Sequence, residues 1–334
     1  MSRSDPFIIA VPSKGRLEEK TADIFTAAGL PLKRAGARGY SGTLESIENV
    51  EIAYLSASEI ASRLRDGAVH FGITGEDLLR EEVPDLDSCL QLVTPLGFGK
   101  ADVVVAIPDA WIDITTMADL AEVAADFRIQ NGRLMRVATK YVHLTNDYFA
   151  ANGVQDFQTV NSFGATEGAP ASGAAELIVD ITSTGATLSA NDLRVLDDGV
   201  ILKSQANLTA SLTAKWDDSH RQSAKQILAR LAAWQKAQAT CLVDFAYGAT
   251  APSARLDAAD LAQLAQQYEA QEIGHYAGTP NHSAGGYRFQ VPQDNMAAFC
   301  TDMTARGFAH ASVTRPDYVF ENANRLYERL AGAL

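Results

Sequence analysis

One contiguous group of side chains is suited to holding a phosphate: Thr182, Ser183, Thr184, Gly185, Ala186 and Thr187. It follows a lone carboxylate, Asp180, which interrupts the apolar run Leu177–Ile181. A short, β-branched, continuously apolar run has the pattern of a strand buried on both faces. Such a strand, feeding a loop of hydroxyls with one glycine and then a helix-compatible Leu188–Asp192, builds an anion cradle from backbone N–H groups, hydroxyls and the positive end of a helix dipole. Gly185 lets the backbone approach a phosphate closely, and Asp180 stands where it can accept hydrogen bonds from sugar hydroxyls. An ordinary Ser/Thr turn with a capping Thr also fits, and this stretch alone divides evenly between the two readings. A second group, Lys14 and Arg16, sits in the turn Pro12-Ser-Lys-Gly-Arg16 after the buried-type strand Phe7–Val11. Cations there face the strand edge where open α/β sheets bind ligands, although solvated loop charges compete as an explanation.

The elements that must position these groups follow from periodicity. The turn at Lys14 leads into a helix over Leu17–Leu30, ending near Gly29. Strand Val50–Leu55, helix Ala57–Arg65 and strand His70–Thr74 follow, the last ending in Gly72-Ile-Thr-Gly75-Glu-Asp77, where Gly75 and Asp77 fit a turn and helix cap. Between strands Gln91–Thr94 and Ala101–Ile107 lies Leu96-Gly-Phe-Gly-Lys100; a strand, not a helix, follows these glycines, which excludes a dinucleotide fingerprint. The helix around Thr116–Ala125 opens a second domain, with strand Leu134–Thr139, Lys140, helix Val142–Ala151 and strand Phe157–Val160. The loop Ser162–Pro170 carries Glu167, a candidate for Mg²⁺ or for ribose, or simply a solvated side chain. Beyond the anchor strand come strands Leu193–Leu196, Val200–Lys203 and Leu208–Leu212, then helices His220–Thr240 and Asp257–Gln271 and a loop Gly274–Gly286. Tyr287–Val291, Gln293–Arg306 and Phe308–Val313 read as one βαβ-like unit, and Tyr318–Leu330 as a closing helix.

Composition bounds the function. With 334 residues, 47% hydrophobic, the chain has core enough for two or three domains. A net charge of −13 argues against a nucleic-acid partner, so cations near a site serve a small anion. Cys89, Cys241 and Cys300 form no C-x-x-C pair, which fits structural thiols in a reducing cytoplasm. The N-terminus runs directly into a strand, so neither a signal peptide nor a membrane span is expected. His275 and His282 share a loop without a Cys or carboxylate at ligand spacing, so no zinc site is expected.

Asp180-x3-Thr184-Gly185-x-Thr187 resembles the phosphoribosyl-pyrophosphate loop of phosphoribosyltransferases. The longer run Glu167-x5-Gly173-x-Ala175-x2-Ile178-x-Asp180-Ile181-x2-Thr184-Gly185-x-Thr187-Leu188 resembles the signature of the ATP phosphoribosyltransferases, the first enzymes of histidine biosynthesis. Pro12–Arg16, Gly72–Asp77 and Arg136-Val-Ala-Thr139-Lys140-Tyr141 resemble further motifs of that family. The resemblance is strong over residues 7–212 and poor beyond. It implies an α/β fold: a two-lobed, periplasmic-binding-protein-like catalytic core with a cleft, plus a C-terminal α+β domain. Lobe I would comprise residues 1–104 and 192–216, lobe II residues 105–191, and a regulatory or oligomerisation domain residues 217–334. It further implies that N1 of the adenine of ATP displaces pyrophosphate from phosphoribosyl pyrophosphate. Asp180, Lys14 and Arg16 would be catalytic. Asp180 and Thr182, Ser183, Thr184, Gly185, Ala186 and Thr187 would bind phosphoribosyl pyrophosphate, and Lys14, Arg16, Thr74, Gly75, Asp77, Thr139 and Lys140 would bind ATP. Mg²⁺ would be held mainly through substrate, with Glu167 the protein-side candidate. A homo-oligomer is implied; a separate regulatory subunit and histidine as an effector stay open, because the long form of the family ends in a ferredoxin-like histidine sensor that only the last βαβ-like unit resembles. Two other classes fit the same pattern: a non-catalytic two-lobed binding protein for a phosphorylated small molecule, and a regulatory homologue.

Overall fold

The computed structural model describes residues 5–36, 39–162, 164–247, 256–276, 285–308 and 310–334. Two compact units divide the chain: Met1–Ile24 with Pro31–Ser223 and Arg329–Leu334, and Phe25–Leu30 with Ala224–Glu328.

The first unit holds two sheets. Its opening residues give β1 (Phe7–Pro12), α1 (Gly15–Ala27), β2 (Leu32–Arg34), β3 (Ser41–Leu44), β4 (Val50–Leu55), α2 (Ala57–Arg65), β5 (Phe71–Gly75), α3 (Glu76–Glu82), α4 (Leu86–Cys89) and β6 (Leu90–Pro95). With β12 (Ala206–Ser211) these strands form a seven-stranded sheet in the order β2-β3-β4-β1-β5-β12-β6, with β1 parallel to both β4 and β5. Ser56 caps α2 by accepting from the Glu59 N–H, and Ile60 and Leu64 bury the helix against the sheet. Gly72 lies beneath that contact: a Cβ there would meet Leu64 Cδ1 at 2.7 Å and Ile60 Cγ2 at 2.8 Å, so only glycine allows this approach.

The second sheet is built from β7 (Ala101–Pro108), α5 (Met117–Asn131), β8 (Met135–Thr139), α6 (Val142–Ala151), β9 (Phe157–Asn161), β10 (Leu177–Thr182), α7 (Ala186–Ser189) and β11 (Leu193–Ser204), in the strand order β11-β7-β10-β8-β9. The lobe boundaries differ from those expected at 104 and 192. All of β7 lies in the second sheet, and so does β11, which pairs antiparallel to β7 from Leu193↔Pro108 to Ser204↔Ala101. The two strands expected at Leu193–Leu196 and Val200–Lys203 are one strand with bulges near Val195 and Val200. The chain therefore crosses between sheets at residues 96–100 and again at Gln205. The two crossings run side by side, with Leu96 N–H donating to the Ala206 carbonyl and Ala206 N–H to the Phe98 carbonyl. Two open α/β lobes joined by two crossings are the architecture expected from the sequence.

Where β1 meets the end of the first unit, Phe7 stacks on His70 at 4.7 Å and the His70 and His220 rings lie 4.3 Å apart, with Trp216 against His70. His70 Nδ1 accepts from the Ile8 N–H at 3.1 Å and Nε2 donates to the Lys215 carbonyl at 3.1 Å, an arrangement for the neutral ring. Burial first, and His220 second, push the His70 pKa down to about 4. Its unfolded value is near the ordinary 6.5, so the stabilisation is present above pH 6.5 and lost as pH falls through about 4. Between pH 7 and 4.5 the loss from this one group is about 2 to 3 kcal/mol. Denaturant midpoints at the two pH values should fall further for the wild type than for His70→Gln, which cannot titrate. Equal falls would remove His70 as the cause.

The second unit carries most of α8 (Asp218–Ala239), then β13 (Thr240–Tyr247), α9 (Ala258–Tyr268), β14 (Gln271–Tyr276), β15 (Gly285–Pro292), α10 (Met296–Ala305), β16 (His310–Thr314) and the start of α11 (Arg325–Ala333). Its sheet has the order β14-β15-β13-β16, with every pairing antiparallel. This βαββαβ topology is ferredoxin-like throughout, not for half of the segment only. The expected βαβ-like unit is present as β15, α10 and β16, with β13 inserted between the two strands. Phe245, Phe289, Phe299 and Phe308 pack its core against α9 and α10. The closing helix begins at Arg325 rather than Tyr318, because Asn324 Oδ1 accepts the Tyr327 N–H and starts it there. Among the described residues no helix is long and apolar enough to cross a membrane.

Candidate active site

β10 is the middle strand of the second sheet, antiparallel to β7 and parallel to β8, so its C-terminal end opens beside that of β8. Asp180 emerges there and accepts the Ile181 N–H at 2.9 Å. After Thr182 the chain turns sharply. Thr182 Oγ1 accepts the Gly185 N–H at 2.9 Å, and Gly185 adopts a left-handed conformation with φ of 75° before α7 begins. The helix expected at Leu188–Asp192 is a single turn at Ala186–Ser189. A helix this short adds little dipole, so what the turn offers an anion is backbone N–H groups and hydroxyls. Glu167, Asp180, Thr182, Ser183, Thr184 and Thr187 line one cavity of about 200 Å³ at this end. Lys140, from the turn after β8, places Nζ 3.6 Å from Asp180 Oδ1.

A second cavity of about 540 Å³ adjoins the first, and Ser183 lines both. Arg16 and Lys20, one helical turn apart on α1, and Lys100, from the first crossing, supply its cations; among the described residues no carboxylate lines it. Lys20 also pairs with Asp23 at 3.3 Å. Three cations gathered in a chain of net charge −13 give this cavity a charge suited to an anion. Gly99, at φ of 64°, carries the crossing past α1, where a Cβ would come within 2.8 Å of Leu17 Cδ2.

The turn bearing Lys14 and Arg16 is held by Arg34. Its guanidinium donates to the Glu18 carboxylate at 2.7 Å and to the carbonyls of Gly39 at 2.6 Å and Ser13 at 3.3 Å, while lying 4.2 Å over the Tyr54 ring. Lys14 is exposed and lines neither cavity.

The remaining expected residues are placed differently. Thr74 is fully buried and donates to the Ala57 carbonyl, and Asp77 is buried among hydrogen bonds of its own, and neither side chain lines either of these two cavities. Gly75 abuts Asp77, with an added Cβ only 2.2 Å from Asp77 Oδ1. Thr139 is also buried, its hydroxyl accepting the Tyr141 N–H at 2.9 Å. Arg136 sits at the far end of β8, where it and Arg133 bind Glu176; burial opposes that carboxylate's charge, but these bonds prevail and hold its pKa down to about 2. Among the described residues no group of three His, Cys, Asp or Glu could hold a metal ion, and His282 lies outside them.

Lys20, Arg34 and Lys100 were missed at the sequence level. Lys20 carried a usable signal, four residues beyond Arg16 on one helix face. Lys100 carried none, since its partners lie far away in sequence.

Residues 56–233 match the family model described as "HisG: ATP phosphoribosyltransferase". A protein named ATP phosphoribosyltransferase from Nitrobacter winogradskyi is 50% identical over 324 residues, covering 97% of this chain and 97% of its own length. One of the same name from Rhodopseudomonas palustris is 49% identical, covering 99% of each chain. Among solved structures, the ATP phosphoribosyl transferase (HisG:HisZ) complex from Thermotoga maritima matches with a TM-score of 0.53 at 22% identity, over 68% of this chain and 96% of that one.

Proposed function

The chain belongs to the ATP phosphoribosyltransferase family and catalyses the first step of histidine biosynthesis, and we propose that it does so in the two cavities that meet at Ser183. The reaction moves the phosphoribosyl group of phosphoribosyl pyrophosphate to N1 of the adenine of ATP and releases pyrophosphate. The observation that carries the site assignment is the shared wall. The hydroxyl-rich cavity suits a 5′-phosphate and ribose, and the cationic one beside it suits pyrophosphate and the phosphates of ATP.

Adenine N1 has a free lone pair and attacks the anomeric carbon as the pyrophosphate oxygen departs, inverting the centre. No general base is required. The protein supplies position and charge. The loop Thr182–Thr187 holds the 5′-phosphate, Asp180 accepts from the ribose hydroxyls and stabilises the cation-like sugar, and Arg16 and Lys100 receive the charge on the leaving pyrophosphate. Lys14, exposed in the turn that Arg34 anchors, meets the same phosphates once ligand fills the cleft. Lys140 pairs with Asp180 and holds that carboxylate in place. Thr74, Gly75, Asp77 and Thr139 support ATP binding through the backbone they hold in place. The donor set fits Mg²⁺ held mostly by the substrate's own oxygens, since Asp180 and Glu167 line one cavity, and the ion would neutralise pyrophosphate charge.

Arg16→Ala should raise the KM for at least one substrate about 10-fold, the scale of one lost charge-assisted contact of 1.4 kcal/mol. Steady-state kinetics with each substrate varied in turn checks this, and unchanged constants would return Arg16 to the solvent. The ferredoxin-like unit supports a proposal that histidine acts there as effector and that copies of the chain assemble; adding histidine to the same assay is the check. The free thiols of Cys89, Cys241 and Cys300 support placing the enzyme in the cytoplasm.

A further inference from the structure

Two buried carboxylates of the first sheet's α3 reach across to the second sheet, and neither touches substrate in the mechanism above. Asp77 and Glu81, four residues apart on one face, are each 7% exposed. Asp77 Oδ2 accepts from the Tyr141 hydroxyl at 2.7 Å, and Oδ1 accepts from the Ser204 hydroxyl at 2.8 Å. The Asp77 N–H in turn donates to Ser204 Oγ at 3.0 Å. Ser204 is the last residue of β11, immediately before the second crossing. Glu81 accepts the His143 N–H at 3.0 Å with Oε1 and the Leu144 N–H at 3.1 Å with Oε2. Helix α6 has no side-chain cap from its own N-cap residue, Tyr141, so its first turn is capped by a residue from the other lobe.

Both carboxylates thus grip one short segment, the turn from Thr139 to Leu144, and that segment carries Lys140. The Lys140 ammonium lies 5.3 Å from the centroid of the Tyr141 ring and 3.6 Å from Asp180. We infer that Tyr141, Asp77 and Glu81 are positioning residues, which set Lys140 against Asp180 from the opposite lobe and so tie the reacting centre to the arrangement of the lobes. Burial and the Asp77 carboxylate raise the Tyr141 pKa far above its ordinary value, so the hydroxyl stays a donor at any working pH. Buried hydrogen bonds to a charge hold geometry tightly, because a shift of either partner leaves the charge unsatisfied. Lys140, in the turn after β8, and Asp180, on the neighbouring β10, belong to one sheet. A turn held only by its own lobe would keep them together wherever the other lobe lay; the grip from α3 makes their pairing depend on the other lobe.

The inference rests on Lys140 belonging to the site, and a double-mutant cycle separates the two claims. Tyr141→Phe removes one hydroxyl and keeps the ring; Lys140→Ala removes the ammonium. Each is expected to lower kcat/KM for phosphoribosyl pyrophosphate about 10-fold, and the double variant should be no worse than Lys140→Ala alone, because Tyr141 acts through Lys140. A purely structural tyrosine would instead lower kcat with the folded fraction, leave KM unmoved, and multiply with the lysine's effect. If Lys140→Ala is costly and the losses multiply, or Tyr141→Phe is silent, the inference falls and the site stands. If Lys140→Ala is silent, the placement of Lys140 fails and the inference goes with it. Glu81→Gln, run through the same cycle, gives the same decision should Tyr141→Phe fail to fold.

Discussion

Asp180→Asn should lower kcat by about 10²- to 10³-fold, the cost of removing one preorganised electrostatic group from a developing charge. The strand pairing of β10 is backbone to backbone, and an Asn oxygen can still accept the Ile181 N–H, so the fold should survive. What disappears is the negative charge nearest the sugar as its bond to pyrophosphate lengthens. The substitution also leaves the Lys140 ammonium, 3.6 Å away, without its partner and next to a carbon becoming positive. Two penalties therefore act in the transition state and little in the ground state, which places the effect in kcat more than in KM. Pyrophosphate release under saturating substrates reads the rate, and thermal unfolding confirms that the variant is folded. Unchanged turnover would remove Asp180 from the reacting centre.

Gly185→Val should weaken phosphoribosyl pyrophosphate binding at least 10-fold. The cause is backbone conformation, not crowding by the protein, since a Cβ at Gly185 would meet nothing within 4 Å. At φ of 75° a β-branched residue is strained by about 1 to 3 kcal/mol, and the loop escapes that strain by changing conformation. The escape breaks the Gly185 N–H bond to Thr182 Oγ1 and turns the following N–H groups away from the phosphate. Gly185→Ala should fall between the wild type and Gly185→Val. Calorimetric titration with phosphoribosyl pyrophosphate checks the series, and equal affinities across it would make the loop a structural turn only.

The contrast between these residues and those found only in three dimensions shows what a sequence discloses. Asp180 to Thr187 is contiguous, so the strand and the hydroxyl loop after it were legible together, although the stretch alone fitted an ordinary capped turn as well as an anion cradle. The cationic cavity was not, because Arg16, Lys100 and Ser183 come from three distant segments. Asp77 looked like a helix-capping acid in a motif, and nothing local reveals that its partners are Tyr141 and Ser204. The fold shows the same division. The buried strands of both lobes were readable from β-branched apolar runs, whereas the lobe boundary at β11 depends on which distant strand it joins. In the ferredoxin-like unit β13 follows α8 without a break, and β14 begins among residues that continue a helical pattern; β14 also contains Gly274, beside a bulge in its pairing, so both strands were hidden.

The decisive measurement is a crystal structure of the chain with phosphoribosyl pyrophosphate and Mg²⁺. The 5′-phosphate is expected on the N–H groups and hydroxyls of Ser183 to Thr187, within about 3 Å. The ribose hydroxyls should face Asp180, and the pyrophosphate should extend past Ser183 toward Arg16 and Lys100. A 5′-phosphate seated in the cationic cavity, with the Thr182–Thr187 loop empty, would contradict the division of the site.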